Sequence, residues 1–432
     1  MAASDSIAVS RRASWGAKLG RTPAFWLLAA ILGLLLFAAS VPSPLYVVYQ
    51  ARWGFSEITL TSVFAVYALA LVAVLVIAGS VSDHVGRRPT LLLGLSLELA
   101  SMVLFAEAQS VGWLFAARTL QGAATGLALG TISATLLDLQ PQRSPHLGAL
   151  LGAAMPLVGL AAGALGTGLL VQYGPDPTRL VYWLLVGAFA LALVIVAALP
   201  ETVRRGSPWR RALRPTIGVP ASLRVAFLAT VPCLVATWAL GGLVLALGPS
   251  LTASVLGEPS HATGGLAIFI MTAVSAIASV VLRDVRARTS ARGGLAALMV
   301  GVATVLVALR TGSLALFLVG AATAGLGFGP AFSGAFRALS NLAPSDQRAG
   351  LVSSILAVSY LAFGLPAVAA GAAVTQFGLH ETADAYGITL ITLAAVAVAL
   401  SHLLQEPDEP EPQTRALTSA FRRHQELRKA QP

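Results

Sequence analysis

The 432-residue chain contains one cysteine, Cys233, placed inside an apolar run. A single cysteine excludes an intrachain disulfide and any cysteine-built metal centre, so Cys233 reads as a small packing residue. The six histidines, His84, His146, His261, His380, His402 and His424, include no close pair at ligand spacing. Neither a metal nor a cofactor is therefore expected. No G-x-x-x-x-G-K-[ST] loop occurs, which removes the phosphate cradle that nucleotide drive of that type requires. Charge is scarce as well. Only 11% of residues are Asp, Glu, Lys or Arg, against about 25% in a soluble globular domain. An enzyme working at membrane depth needs a cluster of nucleophile, acid and base. Here the ionisable groups deep in apolar runs reduce to Glu98 and Arg118, which are expected to lie too far apart to act together. No enzymatic centre is expected.

What is present is hydrocarbon-loving sequence, with 56% hydrophobic residues and a mean hydropathy of +0.80. Apolar runs of about 20 residues recur along the chain, the length needed to cross a bilayer as a helix. They are continuous rather than alternating, which argues against a membrane barrel, and an all-α polytopic membrane protein follows. Twelve spans are predicted, near 24–49, 58–82, 89–109, 112–138, 147–172, 179–200, 223–248, 264–282, 293–310, 313–340, 349–375 and 383–404.

Lys and Arg set the orientation. With the N-terminus inside, 24 fall in cytoplasmic segments and only Arg52, Arg179 and Arg310 fall outside. Both termini are expected in the cytoplasm, with the chain in the cell (inner) membrane as a multi-pass protein. The net charge of +10 is then a topological signal, and no nucleic-acid partner is expected. The organisation reads as a cytoplasmic leader (1–23), a first six-helix bundle (24–202), a linker rich in Pro, Gly and Arg (203–222), a second six-helix bundle (223–404) and a tail (405–432). The tail opens on a Pro and acid cluster and ends in a basic amphipathic stretch suited to the membrane surface. Leu139 and Pro141 are repeated 203 positions later as Leu342 and Pro344, and Asp83 falls near Asp284 at almost the same offset. A duplicated, pseudo-symmetric six-helix unit is the simplest account.

"GSVSDHVGRR" (79–88) concentrates charge in the turn between spans 2 and 3. Gly86 permits a sharp reversal, and Asp83 stands four residues before Arg87, within reach of a charge-assisted pair. The plainer alternative is that Arg87 and Arg88 only obey the positive-inside rule. "RTLQGAATG" (118–126) places Arg118 well inside span 4 with Gln121 three residues on. A charge at that depth is expected to face an aqueous cavity. Gly122 and Gly126, continued by Gly130, form a ridge of small residues for close helix contact. In span 5, Gly159, Gly163 and Gly168 offer similar packing or hinge positions. Glu98 is the one carboxyl near the middle of a span. Enclosure there favours the neutral acid, which makes Glu98 the proton-coupling candidate beside Arg118, a structural hydrogen bond being the alternative. Glu57 and Glu107 read as solvated rims. Pro42 and Pro44 offer a bend in span 1, and Gly325, Gly327, Gly329 and Pro330 one in span 10.

The 79–88 stretch resembles the G-x-x-x-D-x-x-G-R-R signature of the major facilitator superfamily, and "RTLQG" is similar to the R-x-x-Q-G motif of that superfamily's exporters. The fifth-span glycines resemble the exporters' pattern as well, except that Ala164 stands where a proline follows the second glycine. The resemblance implies two bundles working by alternating access. It also implies a cytoplasmic gate of Asp83, Gly86, Arg87 and Arg88 with Asp138 as the partner acid, and a role in proton transfer for Arg118. If spans 1, 4, 7 and 10 line the cavity as in the family, Tyr46, Arg118, Gln121, Trp238, Phe328 and Phe332 are the substrate-contact candidates. The expected function is secondary active transport of a small, fairly apolar solute, by proton-coupled efflux, with a proton-coupled importer of metabolites or sugars as the alternative. The partners expected are the small-molecule substrate, protons and membrane lipid, with the chain acting as a monomer.

Overall fold

A computed structural model describes residues 19–144, 146–203, 217–257, 260–344 and 347–403. The tail, most of the leader and most of the linker lie outside the described residues. Twelve helices are long and apolar enough to cross a bilayer, and no β-strand occurs among the described residues. They are span 1 (Arg21–Trp53), span 2 (Glu57–Ala78), span 3 (Arg87–Ala106), span 4 (Val111–Leu139), span 5 (Leu147–Tyr173) and span 6 (Pro177–Ala197), then span 7 (Ala221–Val255), span 8 (His261–Val281), span 9 (Ala287–Thr311), span 10 (Leu314–Leu342), span 11 (Arg348–Phe377) and span 12 (Leu379–His402). Helix is forced by the solvent, since in hydrocarbon each backbone group must be paired within its own segment. The shortest, span 3 at 20 residues, is about 30 Å long, one hydrocarbon thickness.

The spans form two pseudo-symmetric six-helix bundles. Spans 4 and 10 show the duplication directly. Both are 29 residues long, and both their starts (Val111, Leu314) and their ends (Leu139, Leu342) are displaced by 203 positions. In the first bundle, span 4 packs on spans 2 and 3, span 5 on span 1, and span 6 on span 3. Between the bundles, span 5 packs against span 8 and span 2 against span 11.

Glycine makes these crossings possible. A Cβ at Gly122 would run into the Tyr67 carbonyl and one at Gly126 into the Leu71 carbonyl, both on span 2. Gly159 and Gly163 lie in the same way on the Gly33 and Phe37 carbonyls of span 1, and Gly168 lies against His261 and Gly265 of span 8. All five glycines thus sit at points of closest helix approach. The ridge on span 4 stops at Gly126, because Gly130 has open space around it.

Proline acts differently in the two halves. Span 1 breaks at Val41, between helices Arg21–Ser40 and Pro42–Trp53. Span 10 runs as one helix through Pro330. Its glycines are spent on packing: Gly325 on the Met271 carbonyl, Gly327 on Leu298 and Gly329 on the Ser275 carbonyl.

Candidate functional site

The candidate residues fall mainly into three groupings of side chains. At one end of the first bundle, the Asp83 turn forms a compact charged knot. Gly86 takes φ +115, a conformation that L side chains rarely adopt, and so reverses the chain directly into span 3. Arg87 pairs with Asp83 at 2.5 Å and with Asp138 of span 4 at 3.4 Å, and it donates to the Ser82 hydroxyl at 2.6 Å. Arg88 takes part through its backbone, and its Nε is buried with no hydrogen-bond partner. Sequence reasoning missed Glu201, just beyond span 6. Its two carboxylate oxygens accept from the backbone N–H groups of Arg87 (2.9 Å) and Arg88 (3.1 Å). These are unpaired donors at the positive end of span 3, where a carboxylate is favoured. Thr202 donates to Asp138 at 2.9 Å and Arg21 to the Asp138 carbonyl at 2.6 Å, so spans 1, 3, 4 and 6 all meet there. Asp284 in the second half pairs with its neighbour Arg283 at 3.3 Å.

The second grouping lies at the heart of the first bundle. Arg118, Gln121 and Glu98 are all 0% exposed. Arg118 donates from Nε to the Tyr46 hydroxyl (2.8 Å), and from Nη1 to the Ala39 carbonyl (3.0 Å) and the Gln121 amide oxygen (2.7 Å). Gln121 donates onward from Nε2 to the Ala38 carbonyl (3.1 Å) and to Glu98 Oε1 (3.2 Å). The rings of Tyr46, Phe64 and Tyr67 surround the guanidinium at 5.6, 6.0 and 5.2 Å, close enough for cation–π attraction. Two sequence expectations are corrected here. Arg118 does not face an aqueous cavity, because these rings and the carbonyls of span 1 enclose it. Nor are Glu98 and Arg118 too far apart to act together, since Gln121 bridges them. Two atoms of this cluster, Glu98 Oε2 and Arg118 Nη2, are buried without a hydrogen-bond partner. Tyr46, expected on the cavity wall, is buried as a partner of Arg118.

The third grouping is aromatic and lies where the bundles meet. Trp238 of span 7 is ringed by Phe332 of span 10 (5.3 Å between centroids) and by Tyr360 (4.7 Å) and Phe363 (5.8 Å) of span 11. Phe363 reaches across to Phe64 of span 2 at 4.8 Å, and Phe64 in turn borders Arg118. The Trp238 Nε1 is buried and has no partner. Phe328 lies against Gly241, which Phe363 borders as well. Tyr360, Phe363 and Phe64 were not singled out from sequence, because nothing in an apolar run tells which of its rings face the other bundle. Nor is Glu57 a solvated rim: one carboxylate oxygen accepts from Gln50 at 3.1 Å and the other is buried.

Twelve spans in two repeated bundles, with a charged knot at one end and an enclosed polar cluster within, are the architecture of a polytopic membrane transporter. Residues 25–310 match the family model described as Major Facilitator Superfamily. The chain belongs to that superfamily and is a multi-pass secondary transporter. Over 150 residues it is 31% identical to the MFS efflux transporter aclA of Aspergillus oryzae (strain ATCC 42149 / RIB 40), a match covering 34% of this chain and 26% of that relative's length. Among solved structures it is similar to the nucleoside transporter NupG, with TM-score 0.66 and 15% identity over 88% of this chain and 98% of that one. It is similar also to a bacterial homologue of the human lysosomal transporter Spinster in an inward-facing, unoccupied conformation, with TM-score 0.68 and 14% identity over 90% and 98% of the two chains.

Proposed function

We propose that the chain exports a small, fairly apolar solute in exchange for protons, and that Glu98 is the proton carrier. The observation that carries this reading is the enclosed chain Glu98–Gln121–Arg118. A carboxylate held at membrane depth with one oxygen unpaired costs several kcal/mol, and binding a proton removes that charge. Arg118 is the compensating cation, one amide away. The aromatic wall around Trp238 supplies apolar surface and a single free N–H, a combination suited to an apolar solute bearing one acceptor group. Efflux is favoured by the "RTLQG" motif, by the fifth-span glycines and by the segment similar to an efflux transporter. The Arg-rich face lies in the cytoplasm of the cell membrane, with both termini. The knot of Asp83, Arg87 and Asp138, buttressed by Glu201, is the cytoplasmic gate. In the present structure Asp83 pairs within its own bundle, whereas Gln172 of span 5 accepts from the His261 N–H of span 8 at 3.1 Å toward the opposite face. That pattern suits a state closed on the outside.

The test is solute-dependent proton movement in reconstituted vesicles, comparing the parent with Glu98→Gln. The variant is expected to retain solute counterflow and lose proton movement. Proton movement at the parental rate would overturn the assignment of Glu98, and uptake of solute driven by an inward proton gradient would overturn the direction.

A further inference from the structure

One side chain, Gln121 of span 4, connects Glu98 of span 3 to the turn of span 1 that precedes Pro42. The orientation of the Gln121 amide is fixed by what its neighbours can do. Arg118 can only donate, so the amide oxygen faces it, while the Ala38 carbonyl can only accept, so the NH2 group faces it. That NH2 group serves two acceptors, Ala38 at 3.1 Å and Glu98 at 3.2 Å. The Ala38 carbonyl is available for a local reason. In an unbroken helix it would accept from the N–H of residue 42, and residue 42 is proline. Its neighbour, the Ala39 carbonyl, lies at the same break and is taken by Arg118 at 3.0 Å. The open turn of span 1 is therefore held by Arg118 and Gln121, and Gln121 also reaches the acid on span 3.

We propose that Gln121 is a positioning residue that ties the charge of Glu98 to the bend of span 1 at Pro42. This rests on the proton reading above. When Glu98 is ionised, its bond from Gln121 is charge-assisted, about twice as strong as a neutral one. The amide is then clamped, and with it the Ala38 carbonyl. A proton on Glu98 weakens that bond, and the turn at Pro42 is freed to change its angle as the bundles rock. The ionisable groups facing Glu98 are Arg118 of span 4 and Tyr67 of span 2, with Tyr46 of span 1 beyond Arg118. Arg and Tyr ordinarily keep their protons near neutral pH, which leaves Glu98 as the group that switches.

The experiment needs no solute, because pH is the probe. With Cys233 replaced by serine, spin labels at Arg52 and Gln376, both exposed and at the same end of the molecule, report the distance from span 1 to span 11 in lipid nanodiscs between about pH 5 and pH 9. The parent is expected to show a pH-linked change in that distance. Gln121→Leu is expected to lose most of it, and Gln121→Asn to show a smaller amplitude. Pro42→Ala, which leaves every side chain of the cluster in place but returns an in-helix donor to the Ala38 carbonyl, is expected to lose it as well. If Gln121→Leu does not purify folded, Pro42→Ala decides the matter alone. A parent without a pH-linked change, or either variant with the parental midpoint and amplitude, overturns the inference. Glu98→Gln separates the two claims. If it keeps the parental response, the proton reading fails. If it loses the response while Gln121→Leu keeps it, only the link through Gln121 fails.

Discussion

Replacing Arg118 with alanine is expected to cost the fold about 2–5 kcal/mol, and the size of the loss follows from the contacts. The guanidinium makes three hydrogen bonds, to Tyr46, Ala39 and Gln121, and is fully buried. Removing it leaves the Ala39 carbonyl and the Gln121 oxygen unpaired, at about 1–3 kcal/mol each by the measure of soluble proteins. Hydrogen bonds inside membrane proteins average nearer 0.6 kcal/mol, which sets a floor of about 2 kcal/mol for three. Breaking a buried charge network by deleting one member gives about 3–5 kcal/mol. The assay is reversible unfolding in mixed micelles, titrated with a denaturing detergent. A loss below about 0.5 kcal/mol would refute the reasoning, since only a guanidinium already hydrated could be removed so cheaply. The combined replacement Arg118→Met, Gln121→Leu and Glu98→Leu is expected to be no less stable than Arg118→Ala, because it also removes the buried Glu98 carboxyl that Arg118→Ala leaves without its compensating cation.

Gly86→Ala is expected to lower the thermal midpoint by the equivalent of about 1–3 kcal/mol, since φ is +115 there and a Cβ would push against the Glu201 carboxylate. Gly122→Val is expected to cut the yield of folded protein through overpacking against the Tyr67 carbonyl, whereas Gly130→Ala, with open space around it, should leave the yield unchanged on size-exclusion chromatography. Asp138→Asn weakens a part-exposed pair with Arg87, so unfolding should change by less than about 1 kcal/mol. Its effect is expected instead in the balance of inward- and outward-open states, read from labels on the two bundles.

The spans were legible because hydrocarbon imposes one rule on every residue in them, and run length obeys it. The turn at 79–88 was legible because charge is rare enough here to stand out. The pair Asp83 and Arg87 followed from their spacing of four, while Asp138 entered only through family resemblance. Glu201 escaped notice because its role depends on span 6 ending beside the start of span 3, a neighbour relation that no local pattern encodes. It is nonetheless the acid that directly follows the span, and an acid there is a candidate cap for some nearby helix start. Arg118 was misjudged on its surroundings. Depth alone suggested water, whereas the break at Pro42 leaves the Ala39 carbonyl open, and that carbonyl, Tyr46 and Gln121 accept the three hydrogen bonds the guanidinium makes. Trp238 and Phe332 were picked from span position, but the half of the aromatic wall on spans 2 and 11 depends on how far each helix is rotated.

Glu98 is the only acid among the described residues with no solvent exposure, and its counterpart 203 positions on is Gly301. Under the exchange proposed above, this cluster carries a single positive charge per turnover. One charge falling through 100 mV releases about 2.3 kcal/mol, and each 1.4 kcal/mol sustains a tenfold ratio. An uncharged solute could therefore be held at most about 40-fold more concentrated on one side for every 100 mV of proton-motive force. Any steeper accumulation would require a second acid to enter the stoichiometry.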